Sequence, residues 1–257
     1  MAQSSVATID RKSRWSEAEW EVRVQLAACY RLVARYRMTD LIYTHISARV
    51  PGTEDQFLLN PYGLLFEEIT ASSLVKIDLD GRQVEGGPYG VNAAGFTIHS
   101  AIHAARHDVF CVLHTHTRAG MAVSCQRHGL LPLNQIALQF YNRLAYHDYE
   151  GIALDHDERP RLVRDLGDRQ AMVLRNHGLL TAGRTIPEAF SLMFYLERAC
   201  EVQIAALAGG SELVIPPPEV CEKTARQYEY DDGRPLGAEE WAAHIRMLDR
   251  EDQGYRS

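Results

Sequence analysis

The chain of 257 residues carries 46% hydrophobic and 24% charged residues and a net charge of −7, an ordinary globular composition that excludes collagenous, disordered and disulfide-scaffold readings. An acidic balance offers no field to draw nucleic acid or an anionic membrane surface, so neither partner is expected. The length suits one large domain with a proper core.

No apolar run approaches the roughly 20 residues of a membrane span, and residues 1–21 lack the apolar centre of a secretory signal, so a cytoplasmic protein is expected. Five cysteines without a CxxC pair, mostly in apolar surroundings, read as buried thiols of a reducing compartment.

Residues 1–15 read as a loose arm, 16–210 as the domain, and 211–257 as an extension packing on the domain's flank or a neighbouring subunit. Ser16 is placed to cap a helix running to about residue 37, with Glu17 and Glu19 at the positive end of its dipole. A strand over 41–50, a Pro51-Gly52 turn and a strand over 56–60 predict an antiparallel start. A strand over 75–79 and a Gly-rich loop over 86–90 precede a helix over 93–106. Residues 109–115 are apolar until their end, the pattern of a buried central strand delivering side chains to a cleft. Helices are predicted over 118–127 and 158–166, a strand over 171–175, and a long helix from about Pro187 to Leu207. Past Pro216-Pro217-Pro218, weaker helical patterns cover 219–228 and 238–248.

The eleven histidines cluster informatively. In His114-Thr115-His116, alternate strand residues point to one face, so two imidazoles stand side by side, and His177 follows another apolar strand. Three neutral imidazoles with an open position suit a catalytic divalent ion: zinc first, with iron, manganese or cobalt as alternatives. An isolated HxH is weak evidence, and its context is what raises it. His99 and His103 share a helix face, and their neighbours Ile98, Ala101 and Ile102 favour half-buried packing or support of a ligand imidazole.

The run GVNAAGFTIHSAI over 90–102, VFCVLHTHT over 109–117, YTHISAR over 43–49, AYHDY over 145–149 and RNHG over 175–178 together resemble the class II aldolase/adducin family, closest to its adducin-like branch. The resemblance covers roughly residues 20 to 210. It implies an α/β fold, a three-layer α/β/α arrangement around a mostly antiparallel central sheet, assembled as a homotetramer with sites between subunits. It also implies His114, His116 and His177 as ligands of a metal, zinc in the family's sugar-phosphate aldolases. The family's acid/base glutamate falls at Gly95, its phosphate-holding serines at Ala93 and Ala94, its interface tyrosine near Ile136, and the asparagine of its phosphate-binding turn at His45.

Loss of those groups argues against sugar-phosphate cleavage and leaves metal-assisted aldol cleavage or decarboxylation of a small unphosphorylated oxygenated acid or carbonyl compound. His45 is the expected substrate-binding residue, and His45, Tyr141 or Tyr149 the proton source. The alternative is a non-catalytic adducin-head-like assembly or binding module. No Lys-rich tail accompanies the chain to support cytoskeletal contacts.

Overall fold

In the computed structural model, which describes residues 14–152, 156–229 and 235–257, an eight-stranded sheet separates two layers of helices. The strands are β1 (His45–Arg49), β2 (Gln56–Leu59), β3 (Val75–Asp78), β4 (Gln83–Glu85), β5 (Cys111–Thr115), β6 (Leu144–His147), β7 (Ala171–Leu174) and β8 (Gly178–Gly183). Their order is β4-β3-β2-β1-β5-β8-β7-β6. Only β6 and β7 pair in parallel among the described residues. The helices are α1 (Glu17–Arg35), α2 (Ala93–Ala105), α3 (Arg118–Ser124), α4 (Gln135–Leu138), α5 (Arg159–Leu166), α6 (Ile186–Leu207), α7 (Pro218–Tyr228) and α8 (Ala238–Glu251).

The period-2 alternation of strand side chains divides the interior. On β5, Cys111 and Leu113 enter a large core with Leu26 and Tyr30 of α1 and Met193 and Leu196 of α6. Val112, one residue between them, faces the other side and packs with Ile98 and Ile102 of α2 and Leu162 and Leu166 of α5. Both faces of the central strands are thus apolar, which is why β5 and β7 read as continuous hydrophobic runs.

Side-chain caps set the helix ends. The Ser16 hydroxyl accepts from Glu19 N at 3.1 Å, and Thr185 likewise caps α6 through Glu188 N at 3.1 Å. The Tyr30 hydroxyl accepts from Ile46 N at 2.8 Å and Asn60 N at 3.1 Å, tying α1 to β1 and β2. Arg49, at the far end of β1, donates to Val109 O at 2.8 Å and Arg106 O at 3.0 Å, satisfying carbonyls where α2 ends.

The structure departs from expectation at several elements. The strand expected from residue 41 begins at His45, because Leu41 and Thr44 hold left-handed φ values of 50° and 66° and turn the chain before it. Strands β4, β6 and β8 had no predicted counterpart, and the helix expected over 118–127 closes at Ser124. Of the arm expected over 1–15, residues 1–13 lie outside the described residues; Trp15 is buried, its indole donating to Glu85 at 2.7 Å. Trp241, Leu248 and Tyr255 of the C-terminal region join the large core. All five thiols are free, but Cys125 is exposed, a correction to the burial expected of all five; the other four are buried. No helix among the described residues is long and apolar enough to cross a membrane.

Candidate metal centre

The antiparallel pairing of β5 with β8 sets Thr115 opposite Leu179, so the polar end of β5 meets the turn entering β8. That turn is the Asn-His-Gly segment, in which Asn176 adopts φ 55°, a conformation Asn tolerates better than most residues. At Gly178 a Cβ would stand 2.3 Å from Thr115 O and 3.2 Å from His116 Cδ2, so only glycine lets the two backbones approach this closely. His177, one residue earlier, therefore swings onto His114 and His116.

These three imidazoles converge: their ligand-capable nitrogens lie within 4.8 Å of one another. His116 Nε2 sits 2.9 Å from His114 Nε2 and 2.9 Å from His177 Nε2. The opposite nitrogens of two rings are already committed. His114 Nδ1 lies 2.9 Å from Leu179 O, an acceptor that requires it to carry the proton. His116 Nδ1 lies 2.9 Å from the Asp40 carboxylate, which selects the same tautomer. Two neutral rings protonated at Nδ1 present bare lone pairs at Nε2. Lone pairs 2.9 Å apart repel unless a proton or cation lies between them. A divalent ion about 2.0–2.1 Å from each nitrogen fits this donor set, and Asp40 and Leu179 O supply the outer contacts that orient such rings.

Burial keeps His114, His177 and His45 neutral. It pushes His114 well below the ordinary histidine range, with His177, His116 and His45 adding repulsion. It lowers His177 to about 4, with His116 and His147 contributing, and His45 to about 3, with His116 and His177 contributing. An unfolded chain binds protons below about pH 6.5 that these folded rings do not. The stability they confer on the metal-free protein is complete above that pH and drains as the pH falls toward 4. Each ring contributes a slope of up to about 1.4 kcal/mol per pH unit. Urea melts of metal-free protein at pH 7, 6, 5 and 4 are expected to show this steep decline; a flat profile would contradict the buried neutral assignment.

His45 is opposite His114 in the β1–β5 pairing, with ring centroids 5.3 Å apart. It lies at the edge of the triad and outside the converging set. Its ring fills the space over Gly95 on α2, where a Cβ would fall 1.9 Å from His45 Cδ2 and 2.3 Å from its Nε2. His99 and His103 are fully buried, a correction to the half-buried packing expected. They support His45, and no described hydrogen bond links them to the triad: His99 Nε2 is 3.1 Å from His45 Nδ1, and Ser47 Oγ bridges His99 Nδ1 at 2.6 Å and His103 Nε2 at 2.8 Å.

Of the two tyrosines considered as proton sources, Tyr149 is exposed with its ring 6.5 Å from that of His177, whereas Tyr141 makes no described contact with the triad. His147 is held away from the triad by Asp165 at 2.8 Å and Glu158 at 3.2 Å. Asp40 and Ser47 were missed from sequence. Asp40 precedes the strand expected over 41–50 and Ser47 lies within it, and their partners are 76 and more than 50 positions away.

The sequence profile of the Class II Aldolase and Adducin N-terminal domain matches residues 24–204. A crystal structure of an aldolase II superfamily protein from Pseudomonas syringae superposes with a TM-score of 0.92 at 56% identity, covering 96% of this chain and 99% of that one. The L-fuculose 1-phosphate aldolase of Glaciozyma antarctica superposes with a TM-score of 0.81 at 28% identity, covering 93% of each chain. Alpha-adducin of Rattus norvegicus is 42% identical across 95% of this chain, which spans 35% of the adducin.

Proposed function

The chain belongs to the class II aldolase and adducin family, and we propose that it is a metal-dependent carbon–carbon lyase, carrying out aldol cleavage or decarboxylation of a small unphosphorylated oxygenated acid or carbonyl compound. The observation that carries this reading is the pair of Nε2 lone pairs of His114 and His116, 2.9 Å apart and each bared by a partner on Nδ1. In this reading His114, His116 and His177 hold one divalent ion, zinc first, with iron or manganese as alternatives. The bound ion supplies Lewis-acid polarisation of a substrate oxygen, so that charge developing there is stabilised.

The chain's own residues do the rest. Asp40 and the Leu179 carbonyl keep two rings in the binding tautomer. His45 binds a substrate oxygen beside the triad. In this reading Tyr149, exposed near His177, moves a proton to the product carbon. Similarity to the L-fuculose 1-phosphate aldolase supports lyase chemistry, while alanines at 93 and 94 leave no hydroxyls there for a phosphate. Gly95 supplies no carboxylate to abstract a proton. Decarboxylation starts with loss of carbon dioxide and needs no such base. A homotetramer in the cytoplasm completes the reading, and exposed Leu41, Tyr43 and Tyr62 support association of copies near the turn that precedes His45.

The test is a panel of unphosphorylated hydroxy acids, keto acids and aldols incubated with metal-loaded protein, with carbon dioxide release and aldehyde release read separately. Turnover of at least one compound, abolished by chelator and restored by metal, is expected. Failure of the whole panel with fully loaded protein would favour a non-catalytic adducin-head-like module.

A further inference from the structure

Beneath His45 lies a line of polar groups that the lyase reading leaves unexplained. It runs His45 Nδ1 to His99 Nε2 at 3.1 Å, His99 Nδ1 to Ser47 Oγ at 2.6 Å, and Ser47 Oγ to His103 Nε2 at 2.8 Å. All four residues are buried, between β1 and α2. Each contact holds one proton, and the only described partners of the buried Ser47 hydroxyl are these two rings, so once its single proton is donated to one of them the line has two directions.

The two directions differ at their ends. His103 Nδ1 is among the buried polar atoms without a partner. If the protons point inward, that nitrogen carries an N–H buried without an acceptor, a rare arrangement. If they point outward, it carries a lone pair. His103 then donates from Nε2 to Ser47, Ser47 donates to His99 Nδ1, and His99 donates from Nε2 to His45 Nδ1. Burial lowers His103 to about 3, with Arg49 contributing, and depresses His99 strongly, so neither ring takes a second proton.

We infer that the His103–Ser47–His99 line fixes His45 as an Nε2–H donor toward the substrate, making it a specificity element for a carboxylate or enolate-like oxygen. His45 Nε2 makes no described hydrogen bond, yet is not among the buried atoms left unpartnered, which are Thr44 Oγ1, His103 Nδ1, Asn134 Nδ2 and His244 Nδ1. It is therefore open to a ligand. A ligand group that can only donate meets N–H against N–H and is rejected. His99, Ser47 and His103 are positioning residues, because they act only through His45.

The nature of the ligand rests on the proposed lyase site, whereas the direction of the line does not. Long-range proton–nitrogen correlation spectra of metal-free protein labelled with nitrogen-15 histidine read each tautomer directly. His45, His99 and His103 are all expected as Nε2–H tautomers, with Ser47→Ala converting His45 to a mixture. Zinc-loaded Ser47→Ala is expected to bind acetohydroxamate, an oxyanion probe, about tenfold more weakly than wild type, the scale of one hydrogen bond to a charged group, with zinc content unchanged. A wild-type His45 protonated at Nδ1, or a His45 tautomer indifferent to Ser47→Ala, overturns the inference. The wild-type spectrum needs no variant, so a folding defect in Ser47→Ala cannot shelter it. A lyase site that fails in the substrate panel leaves the tautomers as a separate result.

Discussion

Gly95→Ala is expected to destabilise the protein and weaken ligand binding at the metal centre, although the same change in an ordinary helix interior would help. Alanine gains about 1 kcal/mol over glycine in helix propensity. Against that, the new Cβ falls 1.9 Å from His45 Cδ2 and 2.3 Å from Nε2, distances at which the ring must leave. Displacing a buried side chain from a packed site costs typically about 1–3 kcal/mol, and here the displaced ring also abandons His99, burying an unpaired nitrogen. The net expectation is a loss of about 1–2 kcal/mol in urea melts. Because the two positions share one space, Gly95→Ala should cost less, or even stabilise, in a His45→Ala background, a coupling that a double-mutant cycle measures. Gly95→Ala with unaltered stability and unaltered acetohydroxamate binding would contradict the packing described.

His114→Ala combined with His177→Ala is expected to abolish tight divalent binding while the fold survives. His114 contributes a ring already held at Nδ1 by Leu179 O, and His177 completes the set from the β7–β8 turn. Removing both leaves a single imidazole. Asp40→Ala should be milder, a fall of roughly 10–100-fold in metal affinity, as expected for an outer carboxylate that orients a ligand ring. Competition with a chelating dye measures both, with circular dichroism as the check on folding. A double variant that keeps a full equivalent of metal would refute the assignment of these rings as ligands.

Much of this site was legible in the sequence because strand geometry is local. His114 and His116 project together for the same reason any i, i+2 pair does, and His177 stood out after another apolar strand, with the resemblance adding it to the ligand set. The rest depended on contacts across the chain. Strand β8 was missed because its residues, Gly178 to Gly183, are all buried, so no polar alternation marks it. Strand β6 is four residues long with no run to stand out. The left-handed turns at Leu41 and Thr44 lie inside a stretch whose β-branched and aromatic residues favour a strand, which hid where His45 begins. His99 and His103 presented apolar neighbours in sequence, and nothing local disclosed that Ser47, 52 and 56 positions away, joins them.

Gly95 and His45 show how two positions of one scaffold share a single space. Resemblance alone reads Gly95 as a missing carboxylate. The structure adds that an imidazole from the neighbouring strand occupies the space above it, tied through His99 and Ser47 into the interior. In the proposed reading the site is built around His45, a neutral donor where a charged base is absent.

The central claim is that three imidazole rings, from the end of β5 and the turn before β8, hold one divalent ion. X-ray absorption at the metal edge of protein purified without a histidine tag or added metal tests it most directly. About one ion per chain, with a first shell containing three imidazole nitrogens about 2.0–2.1 Å from zinc, is the predicted result. A chain that carries no ion and takes none up, or an ion whose first shell lacks those imidazoles, would contradict it.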